Sequence, residues 1–262
     1  IMYNATEDTV VGLKDRDGCM EKYDYQFDPQ DKLNHFWANV IKTCGKEVTN
    51  RSKYEFWYKQ RPDGIGTYMH RMLSDNNGRV QDITYHPIFG RPTRLSQNGL
   101  TVVFTYYETG LVKSKADRIQ RMDFFYKNKI SKVSDVTTTY FNNKGKKLRT
   151  RSTAFEYDER SNLKFAKNSD GQYVHLVYDN KGRIETIRDQ AKKVVKIAYE
   201  ERFGKPSFVD RPGLGAISVT YKKNGEVDKV ISKQGPTVAV QVASTFNNLL
   251  EIIAPANPEL SI

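Results

Sequence analysis

Tyrosines 157, 178, 199 and 221 recur at intervals of 21 or 22 residues, and no other feature of the chain constrains its fold as tightly. A polar turn follows each tyrosine (158 to 162, 179 to 183, 200 to 205 and 222 to 226), and a short alternating strand follows the turn. A second turn comes at Ser169-Asp170-Gly171, Asp189-Gln190, Asp210 to Gly213 and Lys233-Gln234-Gly235, so each unit holds two strands and two turns. In the unit that opens at Tyr178, Asp179-Asn180-Lys181-Gly182 supplies turn formers, with Gly182 free to take positive φ. Arg183 to Arg188 sets Ile184 and Ile187 among polar residues that face out, and Val194 to Tyr199 returns. These segments are too short and too β-branched for helices, and nothing from 41 to 236 has a helical period. Successive hairpins therefore predict one antiparallel meander.

The pattern continues upstream in degraded form. Tyr85 to Arg91 leads 21 residues later to Tyr106, with Asn98-Gly99 at the second-turn offset of Gly171. Tyr140 to Leu148 is a shorter unit that reaches Tyr157 in 17 residues, and Phe27 to Leu33 and Ser74 to Val80 have the same shape. Units of the form Y-D-x-x-G-R-[LI] resemble the YD repeats of bacterial Rhs and teneurin-type proteins. Tyr178-Asp179-Asn180-Lys181-Gly182-Arg183-Ile184 matches without a gap, whereas Tyr157-Asp158 is followed by Ser161-Asn162 in place of Gly-Arg. The resemblance is fullest over 157 to 235, partial over 74 to 156 and thin before that. It implies a spiralling sheet, which in long family members closes into a hollow shell around a toxic C-terminal polypeptide or carries cell-surface recognition. About nine hairpins are too few for a large shell, so the expected fold is all-β: an open, curved antiparallel meander of YD-type hairpins. Long members also end the shell with a D-P-x-G-L-type element linked to self-cleavage. Here Arg211 separates Asp210 from Pro212, and the segment falls on a second turn, so it is read as an ordinary turn.

From Pro236 the pattern changes to a helix. Thr237 is the expected cap; Ala239, Val242, Ala243, Phe246, Leu249, Leu250 and Ile253 share one face; Pro255 stops the helix. Such a helix after a sheet serves as a plug or cover. The expected organisation is an acidic segment over 1–40 that forms the first hairpins, the repeat sheet over 41–236, and the helix and tail over 237–262.

Lys and Arg outnumber Asp and Glu by 42 to 31, and the excess sits in the middle: 4 against 8 over 1–40, 21 against 9 over 41–150, 17 against 14 over 151–262. The cations alternate with Tyr, Phe and Thr, as on the solvent face of strands, and such a surface can attract anionic polymers. No apolar run approaches membrane-spanning length, and a 12% aromatic content opposes disorder. The chain starts Ile1-Met2-Tyr3, without a secretion signal or a natural start, which suggests a piece of something larger.

Chemistry is sparse. His35, His70, His86 and His175 are scattered with no zinc-binding spacing, so neither a metal nor a cofactor is expected, and no nucleophile elbow or phosphate loop occurs. Asp15-Arg16-Asp17-Gly18 resembles a calcium loop, but its first ligand position would be Leu13 and its twelfth Asp24 instead of Glu, and it is read as a tight acidic turn. Cys19 and Cys44 suit either one disulfide in an oxidising compartment or two buried thiols. The most promising binding feature is Tyr54, Phe56, Trp57 and Tyr58 followed by Arg61. Alternation puts Trp57 on one face and Tyr54, Phe56 and Tyr58 on the other. Exposed rings beside Lys and Arg can stack on sugars or bases.

The resulting expectation is a noncatalytic scaffold or binding module of a secreted, periplasmic or cell-surface protein. Its partner would be an anionic or glycan-bearing envelope polymer, or a protein of the same secretion system, held by Tyr54, Trp57, Tyr58, Arg61, Lys144, Lys146 and Lys147. Two alternatives stand beside it: an enzyme that acts on an envelope polymer through a carboxylate pair, and a shell segment of a polymorphic toxin. A nucleic-acid partner is disfavoured because no reading element accompanies the charge.

Overall fold

The computed structural model, which describes residues 1–4, 9–15 and 18–258, is strand up to residue 231 and carries its one α-helix after that, among the described residues. Residues 1–119 form one compact unit and residues 120–262 a second. The first holds β1 (Met2–Asn4), β2 (Thr9–Lys14), β3 (Met20–Phe27), β4 (His35–Cys44), β5 (Glu47–Gln60), β6 (Thr67–Asn76), β7 (Arg79–Tyr85), β8 (Pro92–Gln97), β9 (Leu100–Tyr106) and β10 (Val112–Ala116). The second holds β11 (Gln120–Phe125), β12 (Asp135–Phe141), β13 (Lys147–Tyr157), β14 (Leu163–Asn168), β15 (Tyr173–Tyr178), β16 (Ile184–Asp189), β17 (Val194–Tyr199), β18 (Pro206–Arg211), β19 (Gly215–Tyr221) and β20 (Val227–Ile231), then α1 (Pro236–Ile253). Within each unit every strand pairs antiparallel with the next in the chain. Among the described residues β1 pairs with β2 alone and β20 with β19 alone, so the sheet stays open. The all-β meander with a C-terminal helix is thus as the periodicity predicts.

Each letter of the repeat motif has a physical task. Tyr157, Tyr178, Tyr199 and Tyr221 close their strands, and the register shifts by a bulge beside every one of them. The bulge turns the ring so that the phenol donates to a backbone carbonyl: Tyr178 to Leu163 at 2.8 Å, Tyr199 to Ile184 at 2.7 Å and Tyr221 to Pro206 at 2.6 Å. Those acceptors are the residues that open β14, β16 and β18, so each unit's tyrosine is tied to the end of the preceding unit's motif. Tyr157 reaches Val133, and in the first unit Tyr106 reaches Pro92.

The aspartate builds the turn. Asp179 Oδ1 accepts the amides of Lys181 and Arg183, Asp158 Oδ1 those of Arg160 and Asn162, and Asn142 Oδ1 those of Lys144 and Lys146. Second turns repeat the device with Asn168 and Asp189, both buried. In each the fourth residue is left-handed, which is why Gly182, Gly171 and Gly145 stand there; Ser161 (φ 64°) and Lys192 (φ 60°) bear the strain instead. The motif arginine closes the set: Arg183 holds Asp179 and lies over the ring of Tyr199, 4.6 Å from its centroid. Asn98-Gly99 fills a second-turn place with different geometry, a two-residue turn with both residues at positive φ between Gln97 and Leu100. Arg211 to Leu214 is an ordinary turn between β18 and β19, with the Leu214 amide bonded to the Arg211 carbonyl, and Asp210 lies in β18. Of the acidic turn at 15–18, Arg16 and Asp17 lie outside the described residues.

Strand alternation in the second unit buries one face (Phe155, Ala166, Val174, Leu176, Ile187, Val195, Ile197, Val209 and Ile217) and leaves the other to solvent. The helix α1 packs against β14, β15, β18 and β19 and buries Ala239, Val242, Leu249 and Ile252, so it covers the sheet as expected. It starts earlier than expected. Gly235 is the N-cap and Pro236 the first helical residue, with no side-chain cap; Pro has no amide to satisfy there and its φ suits a first turn, which puts Thr237 inside the helix. In the first unit Cys19 and Cys44 are joined by a disulfide, across the pairing of Met20 with Thr43.

Three predictions follow from the repeat. Tyr178→Phe keeps the ring and loses one hydrogen bond, and should cost about 1 kcal/mol in denaturant unfolding; Tyr178→Ala should cost about 3 kcal/mol. Burial pushes the Tyr178 phenol up to about 12 from 10.0, so its contribution is complete below pH 10 and is lost as pH rises through 12; Tyr178→Phe should remove that part of the alkaline transition. Lys192→Gly should raise stability by about 0.5–1 kcal/mol, because glycine relieves the left-handed strain.

Candidate functional site

The aromatic strand β5 separates its rings as alternation requires. Tyr54 stacks on Phe56 with centroids 6.1 Å apart, and Phe56 and Tyr58 both meet Phe36 of β4, at 5.0 and 5.9 Å. Half-buried Tyr25 and exposed Phe27 of β3 extend this aromatic face. Trp57 projects from the other face. There the β4–β5 register sets His35 opposite Trp57, and the β5–β6 register sets Arg71 opposite it on the far side. The His35 ring stacks on Trp57 at 5.1 Å with 14° between planes, and the Arg71 guanidinium lies 4.7 Å from the centroid. Flanking strands bring these two groups to opposite sides of the indole, so a ligand could stack on Trp57 only by displacing one of them.

His35 is itself clamped. Nδ1 lies 2.8 Å from Asp28 Oδ2 and Nε2 lies 2.7 Å from Glu55 Oε1, with Trp37 packed 4.4 Å away. Two carboxylates can both be bonded only if both ring nitrogens donate, so the bound form is the imidazolium. Burial by itself pulls the His35 pKa down, but the hydrogen bonds to Glu55 and Asp28 outweigh it and the net shift is up. Amide donation from Gln30 and the His35 contact hold the Asp28 carboxyl below its ordinary range. The chain of charge continues across the sheet: Arg71 makes a bidentate pair with Asp82 at 2.8 and 3.1 Å, and Arg94 adds a contact at 3.4 Å. The sequence hid this cluster because its members lie far apart in the chain and only strand register joins them.

The remaining expected binding residues are placed separately. Arg61 is committed to Asp63 at 2.8 Å in the turn between β5 and β6. Lys144, Lys146 and Lys147 are exposed at the turn between β12 and β13, in the second compact unit. Among the described residues no group of three or more His, Cys, Asp or Glu is arranged to hold a metal ion.

No protein-family profile matches the chain, and no curated protein matches it. Among solved structures it is similar to the pore of the Photorhabdus luminescens Tc holotoxin, at 9% identity over 85% of this chain and 17% of that one, with a TM-score of 0.34. A TcdB2–TccC3 crystal structure gives 8% identity over 84% and 18% with a TM-score of 0.32. A porin-like protein from Bacteroides uniformis gives 10% over 84% and 92% with 0.29. The chain spans less than a fifth of the two toxin chains. Superpositions this loose decide neither fold nor function. No helix among the described residues is long and apolar enough to cross a membrane.

The clamp makes the first unit sensitive to pH. With the His35 pKa raised above 6.5, its contribution is complete below that value and is lost as pH rises through the raised pKa; with the Asp28 pKa lowered, its contribution is lost as pH falls below about 3.8. Thermal unfolding followed by Trp fluorescence should therefore show highest stability between about pH 4 and 6.5. His35→Gln should flatten the decline above that window; an unchanged decline would place its origin elsewhere.

Proposed function

We propose that this chain is a noncatalytic wall segment of a secreted repeat protein, the shell-segment alternative raised by the motif. One observation carries the proposal: the phenol–carbonyl bond recurs at Tyr106, Tyr157, Tyr178, Tyr199 and Tyr221 and the aspartate turn at Asp158 and Asp179, so the motif's polar groups are consumed in holding strand to strand. A chain that spends its repeated Tyr and Asp this way performs through its surface and shape. The carboxylates support the same reading. Every one whose pKa is displaced among the described residues, including Asp28, Asp82, Asp158, Asp179 and Glu200, moves down, opposite to the shift a general acid needs. The cross-strand disulfide fits an oxidising compartment.

A second reading, attraction of an anionic or glycan-bearing envelope polymer, is favoured by the turn of Lys144, Lys146 and Lys147, whose ammonium groups join no ion pair among the described residues. The two readings separate in one experiment. A photo-cross-linker replacing Tyr58, on the aromatic face, should capture polypeptide of the same secreted protein in the cells that make it. Capture of an envelope polymer by the same cross-linker placed at Lys146, with no polypeptide captured from position 58, would favour the second reading. Release of product from cell wall, lipopolysaccharide or acidic glycan by the purified chain, abolished by Glu55→Gln, would replace both with an enzyme.

A further inference from the structure

Repetition within the second unit is an internal control: a residue the repeat needs recurs, and one that departs from it on the solvent face calls for another reason. On the face opposite α1, Phe165, Tyr173 and His175 form a ring cluster with centroids 4.7 Å (Phe165–His175), 5.9 Å (Phe165–Tyr173) and 5.8 Å (Tyr173–His175) apart. The same three places one unit later hold Thr186, Val194 and Lys196. The repeat therefore does not require the cluster, whose one bond to the next hairpin is from the Tyr173 phenol to the Gln190 carbonyl at 3.5 Å. It floors an open groove of about 680 Å³ whose rim carries Lys164, Lys167 and Arg188. Lys164 faces Glu156 at 3.5 Å, while Lys167 and Arg188 join no ion pair among the described residues. A second groove, of about 730 Å³, adjoins it through Lys164 and Val177 and balances Asp158, Glu159 and Asp179 against Arg160, Lys164 and Lys181.

We infer that this groove binds an acidic oligosaccharide, with a pyranose ring on Tyr173 and Phe165 and its carboxylate between Lys167 and Arg188. Three observations select that class. The rings lie tilted against one another, at 40°, 45° and 84°, and leave no parallel slots into which successive bases could slide. The unpaired cations stand at its margin, where they meet a charge on a ligand already resting on the rings. The charge-balanced groove beside it suits neutral sugars that continue the chain, and the shallow trough suits a polymer better than an enclosed small molecule. The site lies apart from the lysine turn at 144–147 and does not depend on the wall role.

The test is calorimetric titration of the intact chain with an oligogalacturonate, a neutral dextran oligomer of equal length and an oligothymidylate. Oligogalacturonate should bind at least about tenfold more tightly than dextran. Tyr173→Ala should reduce its affinity about tenfold at every salt concentration, and Lys167→Glu with Arg188→Glu should reduce it and flatten the salt dependence. Because these side chains face solvent, circular dichroism and unfolding midpoints should match the parent chain. Charge reversal at Lys144, Lys146 and Lys147 should leave the affinity within about twofold; loss there with no effect of Tyr173→Ala would overturn the groove and move binding to the turn. Equal binding of dextran, or tighter binding of oligothymidylate, would overturn the ligand class.

Discussion

The bond from Tyr178, Tyr199 and Tyr221 to a carbonyl 15 residues earlier is the interaction on which the second unit is built. A bulge removes a residue from the ladder and would otherwise leave the strand end poorly held, and the phenol supplies the missing tie. Because the acceptor opens the previous hairpin, the bond also sets where the next hairpin begins. Burial of the ring, the aspartate turn beside it and the arginine above the next ring all depend on the tyrosine standing at that position. Arg183 shows the coupling most directly, since it grips Asp179 of its own unit and covers Tyr199 of the next.

What was legible in the sequence follows from the range of these interactions. A turn aspartate bonds amides two and four residues away, so the motif that encodes it survives in a short string of letters. The cluster at His35 was not legible, because Asp28, Glu55, Trp57 and Arg71 meet only through the registers of β4, β5 and β6. The disulfide was undecidable for the same reason: cysteines 25 residues apart become neighbours only once Met20 pairs with Thr43. The helix starts before the capping side chain of Thr237 because the ring of Pro236 fixes the first turn without one.

Net charge misled in a related way. An excess of cations suggests an attractive surface, yet many are engaged: Arg71 and Arg94 with Asp82, Arg183 with Asp179, and Lys205 with the Gly225 carbonyl while it lies over Tyr221. Arg211 pairs with Asp189, and both are largely buried, so this contact tethers one second turn to the next. Cations spent in this manner stiffen a single-layer sheet whose apolar surface is limited, and they contribute little to long-range attraction.

The two units then show what separates a structural ring from an available one. Trp57 and His35 also depart from the repeat, but their faces and nitrogens are filled by Arg71, Asp28, Glu55 and each other, and nothing is left to offer a ligand. Phe165, Tyr173 and His175 touch one another and keep ring surface open to solvent, with a single long bond from the Tyr173 phenol to the Gln190 carbonyl and with Lys167 and Arg188 beside them in no ion pair among the described residues. Departure from a repeat is therefore a necessary sign of function in a chain like this, and an unfilled valence of contact is the second. Only where both coincide does the physics leave a residue without a structural reason to be where it is.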